Sequence, residues 1–363
     1  MSTDFSAFEG SGPVSARHTF DAQALDRWLT EHVEGYQGPL SVEQFAGGQS
    51  NPTFKLITPS RTYVMRSKPG PAAKLLPSAH AIEREYRVMR ALADTDVPVA
   101  QMLGLCEDES VLGRAFYVME YVDGRVLWDP ALPGLASSER EAVYDEMNRV
   151  MAALHRVDFN AIGLTDYGKA GDYLSRQIAR WTRQYRASET ESIDAMDRLI
   201  DWLPAAAQRA HPETERHAIV HGDYRLDNVL FARDAPRALA VLDWELSTIG
   251  DPLVDFSYHC MAWHIPPGHF RGIGGLDLAA LGIPDETDYI ARYRSRTGFE
   301  IPGDWNIYLA YNLFRIAGIL QGIMKRVVEG TASSQQAVEA GRAARPMAEL
   351  GWRFAQKAGA RSY

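Results

Sequence analysis

The sequence predicts an α+β protein in which a small lobe built on an antiparallel sheet precedes a larger, mostly helical lobe. Three observations support this fold class. Short β-prone runs separated by Gly, Asn and Pro dominate residues 41–122. Beyond about residue 137, apolar residues recur mainly at helical spacing. One β-rich stretch, at residues 218–243, interrupts these helices.

The composition is typical of a globular protein, with 363 residues, 46% of them hydrophobic and 23% charged. The formal net charge of −9 argues against a nucleic-acid partner, because such proteins usually present a basic face. Cys106 and Cys260 stand outside any C-x-x-C pair, so neither a zinc site nor a disulfide framework is expected.

We expect a cytoplasmic protein that does not span a membrane. Residues Met1–His18 lack the basic and apolar regions of a signal peptide, and no run of about 18 uncharged apolar residues occurs. The isolated cysteines fit a reducing compartment. The sequence leaves the oligomeric state open.

Three segments are predicted: a leader and helix at residues 1–40, the sheet-rich lobe at 41–122, and the helical lobe at 123–363. Asp21 is the expected N-cap of the first helix, Asp21–Glu34. The elements predicted for the sheet-rich lobe are strands Ser41–Ala46, Thr53–Thr58, Thr62–Arg66, Met102–Cys106 and Ala115–Glu120, and helix Ser78–Leu92.

The helical lobe contains six long segments with helical periodicity. They are Ser138–His155, Asp172–Arg186, Ser192–Arg209, Asp285–Arg296, Trp305–Glu329 and Gln335–Lys357. The Gly- and Pro-rich connection Ile265–Pro284 is long, and both a substrate loop and a plain surface excursion explain it. Three histidines near it are expected to be core or loop residues rather than metal ligands. They are His259, His264 and His269.

The strongest chemical signal is the polar loop His221–Asn228, which reads H-G-D-Y-R-L-D-N. Apolar runs Ala218–Val220 and Val229–Phe231 flank it, so the loop is predicted to lie between two buried strands. Asp223 and Asn228 have the spacing of the Asp and Asn in the kinase catalytic loop H-R-D-x-x-x-x-N. A carboxylate there can orient an acceptor hydroxyl and take its proton, and the amide oxygen can hold Mg²⁺.

Two further carboxylates follow this loop. A predicted strand ends at Asp243, where kinases place the Mg²⁺-binding Asp of D-F-G, although the next two residues differ from that motif. Asp255 lies at a predicted helix start, and we interpret it, with His221, as structural support for the catalytic loop. A plain N-cap is the alternative for Asp255, and Asp251 could equally be that cap.

The segments His221–Phe231 and Leu242–Asp255 resemble the phosphotransferase enzyme family typified by aminoglycoside and choline kinases. The resemblance spans about residues 40–330 and implies a protein-kinase-like, two-lobed fold with ATP and Mg²⁺ as cofactors. A narrower likeness, carried by Lys74–Tyr86 and Asp243–Pro252, is to the kinase-like domains fused to some acyl-CoA dehydrogenases and to their stand-alone bacterial relatives.

The resemblance implies that the sheet-rich lobe binds the nucleotide. Gly47, Gly48 and Ser50 join two predicted strands, and glycines there let the backbone lie over phosphates, although a tight β-turn explains them as well. By analogy with the family, the Glu120 carbonyl and the Val122 N–H would meet the edge of the adenine.

Arg66 ends a predicted strand where kinases place the lysine of V-A-I-K, so a cation for the nucleotide phosphates is still supplied. Its fork differs in geometry from a lysine, and Lys68 is an alternative cation. Glu85 on the following helix is the expected ion-pair partner of Arg66. Glu83 is the alternative, and a solvated helix charge explains either residue as well.

The expected reaction is transfer of the γ-phosphoryl group of ATP to a hydroxyl of a small molecule. The narrower likeness favours a hydroxyacyl-CoA-like acceptor, and Tyr224 and Arg225 are candidate acceptor contacts because they flank Asp223. Four arginines near the long loop would suit an anionic acceptor, although exposed helix arginines are common. They are Arg271, Arg292, Arg294 and Arg296.

Two alternatives to this function are an aminoglycoside O-phosphotransferase and a non-catalytic, nucleotide-binding pseudokinase. The intact set of catalytic and magnesium residues argues against the pseudokinase, whereas Arg66 in place of lysine argues mildly for it. A dehydrogenase or P-loop enzyme is set aside because neither G-x-G-x-x-G nor G-x-x-x-x-G-K-[ST] occurs.

Overall fold

The computed structural model describes residues 10–46, 51–69, 82–169, 171–210, 216–268, 270–301, 303–331 and 335–361. The chain divides into two compact units. The first unit comprises Met1–Trp128, Ala161–Leu164 and Asp227–Ser247, and the second comprises Asp129–Asn160, Thr165–Leu226 and Thr248–Tyr363.

An antiparallel sheet organises the first unit. Its strands are β1 (Ser11–Gly12), β2 (Ser41–Phe45), β3 (Thr53–Ile57), β4 (Thr62–Ser67), β5 (Met102–Cys106) and β6 (Phe116–Glu120). They lie in the order β1-β2-β3-β4-β6-β5. Burial alternates along β3, so that Phe54 and Leu56 enter the core opposite Met65 and Tyr63 of β4. The five predicted strands of this lobe are present, with ends shifted by a single residue where they differ.

The described residues of the first unit form three α-helices: α1 (Ala22–His32), α2 (Ile82–Leu92) and α3 (Glu109–Leu112). Asp21 is the N-cap of α1, as predicted, because its carboxylate accepts hydrogen bonds from the N–H groups of Gln23 and Ala24. The apolar face of α1 joins the sheet residues in one hydrophobic core. The predicted start of α2, at Ser78, lies outside the described residues.

A three-stranded sheet completes the first unit. It consists of β7 (Arg125–Val126), β9 (Val229–Phe231) and β10 (Ala238–Val241), in the order β10-β9-β7. The sequence had placed these residues beyond the boundary at residue 123, in the helical lobe. They group with the first unit because β9 pairs with β7 and because the Val241 N–H donates to the Pro98 carbonyl at 2.8 Å.

The second unit is mostly helical. Its helices are α4 (Ser137–Arg156), α5 (Tyr173–Ser188), α6 (Asp194–Ala210), α7 (Pro252–Cys260), α8 (Leu278–Leu281), α9 (Glu286–Thr297), α10 (Trp305–Val328), α11 (Gln335–Arg342) and α12 (Ala344–Lys357). Two short antiparallel strands, β8 (Ala218–Val220) and β11 (Thr248–Gly250), pair with each other. The long connection is anchored rather than loose in its described part, since Ile265 and Ile273 are fully buried.

The single helix predicted over Gln335–Lys357 is wrong, because the chain turns at Ala343 between α11 and α12. The physical reason is Pro346 in the first turn of α12. A proline has no N–H, so it cannot donate to the carbonyl of Arg342 and continue the preceding helix.

The apolar helix α10 lies at the centre of the second unit and contacts α5, α6, α7, α11 and α12. Among the described residues, it is the one helix long and apolar enough to cross a membrane by length and composition. However, 78% of its apolar window is buried inside the structure. Such burial is the pattern of a core helix, so α10 is weak evidence for a membrane span.

The start of α7 decides between the two capping alternatives. The Asp251 carboxylate accepts the Leu253 N–H at 2.8 Å, and Pro252 occupies the first turn. Asp251 is therefore the N-cap, and Asp255 lies within the helix. Every residue of α7 is buried, which places Asp255 and His259 in the core.

His259 gives a pH prediction for stability. It is buried, with its Nε2 2.9 Å from the Tyr289 hydroxyl, and burial lowers its pKa to about 4. In the unfolded chain this histidine has its ordinary pKa of 6.5. Between pH 6.5 and pH 4 the unfolded chain therefore binds more protons at this residue than the folded chain does. Stability from His259 is therefore complete above pH 6.5, and about 3 kcal/mol of it is lost as the pH falls towards 4.

We expect His259→Asn to decline less steeply than the wild type when the free energy of unfolding is measured with urea between pH 7 and pH 4.5. The exposed His32, substituted by Asn, is the matched control and should follow the wild type. Equal slopes for the His259→Asn variant and the wild type would contradict the burial argument.

Candidate active site

Arg66 connects β4, α2 and the loop after β10 within the first unit. Its Nε lies 3.1 Å from Glu85 Oε2, while its Nη2 lies 2.7 Å from Asp243 Oδ1 and 3.7 Å from Glu245 Oε2. Only 11% of the Arg66 side chain is exposed. Burial disfavours the charge, but the neighbouring acidic groups, Glu85 first, outweigh it and raise the pKa of Arg66. The guanidinium is therefore a fixed, permanent cation.

Glu85, rather than Glu83, lies beside this guanidinium. The buried Glu85 carboxylate also accepts hydrogen bonds from Asn51 Nδ2 at 3.0 Å and from the Tyr117 hydroxyl at 3.2 Å. Burial, followed by the Glu85 charge, raises the pKa of Tyr117, so its hydroxyl remains a donor. Glu83 instead pairs with Lys68, which ties the alternative cation to the same helix.

Asp243 has a left-handed backbone, with φ 65° and ψ 59°. This conformation costs a residue with a side chain about 1–3 kcal/mol and is concentrated at functional sites. The Leu242 N–H donates to the Asn228 carbonyl at 2.8 Å, which brings together the two chain segments that carry the predicted magnesium ligands. Trp244, which replaces the Phe of D-F-G, is buried, and its Nε1 donates to the Val241 carbonyl at 2.9 Å.

The donor set of these two segments fits Mg²⁺. Asn228 offers an amide oxygen and Asp243 a carboxylate, which are the hard oxygen ligands that Mg²⁺ prefers. Among the described residues, no group of three or more His, Cys, Asp or Glu side chains could hold a metal by itself. Mg²⁺ usually keeps several waters and binds nucleotide phosphates alongside one or two protein oxygens, so two protein ligands would be enough to hold it.

In the second unit, Asp255 of α7 fixes the loop that follows β8. Its Oδ2 accepts the His221 N–H at 2.7 Å, and its Oδ1 accepts the Gly222 N–H at 2.8 Å. Gly222 has φ 81°, which glycine adopts without steric cost. His155 Nε2 lies 3.3 Å from Asp255 Oδ2, and His155 Nδ1 lies 2.7 Å from the Tyr293 hydroxyl.

The electrostatics of Asp255 favour a charged carboxylate. Burial disfavours the charge, but the hydrogen bond and charge of His155, together with His221, outweigh it and lower the pKa of Asp255. A charged acceptor strengthens the two bonds from the loop backbone. Sequence reasoning missed His155, because a histidine near the end of a helix with core periodicity gives no local sign of its partner.

Asp223 follows this fixed backbone, and 19% of its side chain is exposed. Its Oδ2 lies 3.2 Å from Arg225 Nη2, and its Oδ1 accepts a hydrogen bond from the Tyr258 hydroxyl. Burial, then the Asp223 charge, raises the pKa of Tyr258, so the phenol stays protonated and donates. Asp223 therefore presents an oriented and partly accessible carboxylate.

Other predicted residues have different environments. Glu120 ends β6, where its Oε1 accepts the Gln101 N–H at 3.0 Å, and Val122 follows in the segment before β7. Tyr224 is a core residue rather than an acceptor contact, because it is fully buried and its hydroxyl donates to the Met147 carbonyl at 3.0 Å. The loop residues proposed to cover the phosphates lie outside the described residues. They are Gly47, Gly48 and Ser50.

Comparison with known proteins places these observations in a family. Residues 41–287 match the model of the phosphotransferase enzyme family. The chain is 46% identical over 354 residues to acyl-CoA dehydrogenase family member 10 of Mus musculus. The aligned region covers 97% of this chain and 33% of that protein. The chain spans less than half the length of curated relatives that it matches, such as family members 10 and 11 of Mus musculus.

Solved structures show the same fold. A crystal structure of a protein provisionally named aminoglycoside phosphotransferase, from Ralstonia eutropha, matches with a TM-score of 0.85 and 66% identity over 93% of this chain and 99% of that chain. The aminoglycoside phosphotransferase APH(4)-Ia, solved with ADP and hygromycin B, matches with a TM-score of 0.59 and 18% identity, covering 93% and 100% of the two chains. At 18% identity, the second likeness shows the fold alone.

The fold is therefore the kinase-like fold that the sequence predicted, with an antiparallel N-terminal sheet and a helical C-terminal part. The chain belongs to the phosphotransferase enzyme family. The resemblance stated from the catalytic motifs is thus confirmed. The narrower likeness to kinase-like domains of acyl-CoA dehydrogenase family members is confirmed as well.

The contrast between Glu85 and Glu83 gives a prediction for the expected nucleotide site. Glu85→Gln removes the charge that holds the buried Arg66 fork, so we expect ATP affinity, measured by calorimetry with Mg²⁺, to fall about tenfold, a typical loss for one buried charged partner. Glu83→Gln lies on the same helix but pairs with the more exposed Lys68, and its affinity should stay within about twofold of the wild type. Equal losses in both variants would refute a special role for Glu85.

Proposed function

We propose that this chain is an ATP- and Mg²⁺-dependent small-molecule kinase that transfers the γ-phosphoryl group to a hydroxyl. The observation that supports this most directly is the Asp223 carboxylate, oriented by Tyr258 and Arg225 on a loop that the buried Asp255 fixes. Family membership supports the phosphotransferase chemistry. The ADP bound by a protein of the same fold supports an adenine nucleotide as donor.

Each group has a defined part in this proposal. Asp223 orients the acceptor hydroxyl and accepts its proton as the acceptor oxygen bonds to the γ-phosphorus, while the bond to the β–γ bridging oxygen breaks and ADP leaves. Arg66 offers its fixed positive charge to the phosphates. Asn228 and Asp243 would hold Mg²⁺, which supplies charge neutralisation on the phosphates when bound.

The charges near Asp223 favour an electron-rich acceptor over a polycation. Three arginines interact electrostatically with Asp223. They are Arg225, Arg271 and Arg315. Burial, followed by repulsion from Arg225, lowers the pKa of Arg271 to about 9. An aminoglycoside carries several positive charges and would be repelled here, since like charges in a poorly solvated site disfavour each other.

The other arginines considered from the sequence are already paired with acidic residues. Arg292 and Arg296 bind Asp145, and Arg294 binds Glu300. They are structural and do not argue for an acceptor. We propose a hydroxyacyl-CoA-like acceptor, because the curated relatives are named for acyl-CoA chemistry and because the arginines near Asp223 suit a polarised or anionic group.

A coupled ADP-release assay with ATP and Mg²⁺ tests this function across hydroxyacyl-CoAs, sugar alcohols, choline, homoserine-like amino acids and aminoglycosides. We expect stimulation by the hydroxyacyl-CoAs. Asp223→Asn should lower that turnover about 10²- to 10⁴-fold, the range typical of a lost general base, while ATP binding persists. Release that no acceptor stimulates, in a protein that binds ATP, would favour a pseudokinase. Full turnover by the variant would remove Asp223 from the role of base.

Asp243→Ala separates metal binding from the support of Arg66. If Asp243 holds Mg²⁺, calorimetry should show ATP affinity lowered about tenfold or more with Mg²⁺ but nearly unchanged with EDTA. Asp234→Ala, on the exposed turn between β9 and β10, is the control and should bind like the wild type. Equal losses with and without Mg²⁺ would show that Asp243 acts through Arg66 instead.

A further inference from the structure

Arg315 is a buried cation in helix α10, most of whose buried residues are apolar. Its side chain is placed against the catalytic loop, with Nη2 donating to the Gly222 carbonyl at 2.5 Å. Within the part of the chain that the structure describes, no carboxylate lies within salt-bridge distance of Arg315. A buried charge without a paired carboxylate is costly, so an apolar residue would fill this place more favourably if packing were its only purpose.

Tyr258 connects Arg315 to the Asp223 carboxylate. The Arg315 guanidinium lies 4.7 Å from the centroid of the Tyr258 ring, and the Tyr258 hydroxyl donates to Asp223 Oδ1. Stacking on an aromatic ring partly compensates the buried cation. A second ring, that of Trp181, lies 5.4 Å from the same guanidinium. Tyr258 is only 2% exposed, so this arrangement is enclosed by the core.

Contacts from two helices therefore hold the backbone on both sides of Gly222. Asp255 of α7 binds its N–H at 2.8 Å, and Arg315 of α10 binds its carbonyl at 2.5 Å. The next side chain is Asp223, whose Oδ1 is bound by Tyr258 of α7. Backbone and carboxylate are thus constrained separately, and both constraints end on the residue that would take the acceptor proton.

We propose that Tyr258 and Arg315 are positioning residues that orient the Asp223 carboxylate towards the acceptor hydroxyl; this rests on the proposed kinase function. Neither residue would touch the nucleotide in this role. Tyr258 fixes the rotation of the carboxylate, and Arg315 fixes the peptide that precedes it and supports the Tyr258 ring. A reacting group displaced by about 1 Å can cost about 10²-fold in rate, so we expect the loss of either support to slow the transfer.

Tyr258→Phe is the central test, because it removes one hydroxyl and keeps the buried ring. With ATP, Mg²⁺ and a panel of 3- and 4-hydroxyacyl-CoAs, we expect kcat to fall about 10- to 100-fold while the KM for ATP stays within about twofold. Tyr144→Phe is the matched control, since Tyr144 is also buried and donates to a backbone carbonyl, that of Pro130 at 2.7 Å. Its melting temperature should change as much as that of Tyr258→Phe, but its kcat should not fall.

Arg315→Met tests the backbone support with a readout that needs no acceptor. Hydrogen exchange of peptides covering residues 218–228 should accelerate several-fold in Arg315→Met and remain unchanged in Tyr258→Phe. In the kinase assay, the kcat of the double variant should lie within about threefold of the kcat of the less active single variant. The two losses should not multiply, because both residues act through one carboxylate.

Three results would overturn the proposal: a wild-type kcat in Tyr258→Phe, a kcat loss matched by the Tyr144→Phe control, or unchanged exchange in a folded Arg315→Met. A wild type that releases no ADP, with any acceptor or from ATP and water alone, would instead refute the proposed kinase function. In that case the exchange measurement still decides whether Arg315 holds the loop, so the two failures can be told apart.

Discussion

The buried carboxylate of Asp255 is the constraint on which the second unit depends. A left-handed glycine and its neighbour present two N–H groups inward, and without an acceptor in the core each would cost about 1–3 kcal/mol. Asp255 accepts both, and His155 helps to keep it charged. The polar loop that carries Asp223 can therefore lie against an apolar core without losing its shape.

In the first unit, the buried charge that connects several segments is the guanidinium of Arg66. A lysine in this position would offer a compact charge, whereas the fork of Arg66 contacts Glu85 through Nε and Asp243 through Nη2 at the same time. Arginine in place of the usual lysine thus adds a second contact, to Asp243, besides the contact to Glu85. It also places a cation beside a proposed metal ligand, which links the helix, the sheet and the strained backbone at Asp243.

The sequence predicted what depends on neighbouring residues. Strand alternation, the Asp21 cap and the motif around Asp223 are local. Glu85 could be proposed because the kinase pattern pairs the cation at the position of Arg66 with a glutamate on the following helix. Contacts between distant segments gave no such signal, and Tyr258 is an ordinary residue of an apolar helix when read alone. Arg315 was visible as a charge within a long apolar run, yet only the fold shows that it faces Gly222. The break at Ala343 depends on the missing N–H of Pro346, which the spacing of apolar residues does not report.

Four residues of α7 and its cap make separate contacts, and the helix fixes the directions in which their side chains point. Asp251 caps it, Asp255 holds the loop, Tyr258 holds the carboxylate and His259 packs in the core, all within three turns. Because each residue rotates a helix by about 100°, inserting or deleting a single one would turn most of these groups away from their partners. Relatives that keep the activity should therefore vary in length before Gly250 or after Trp263, but not between them.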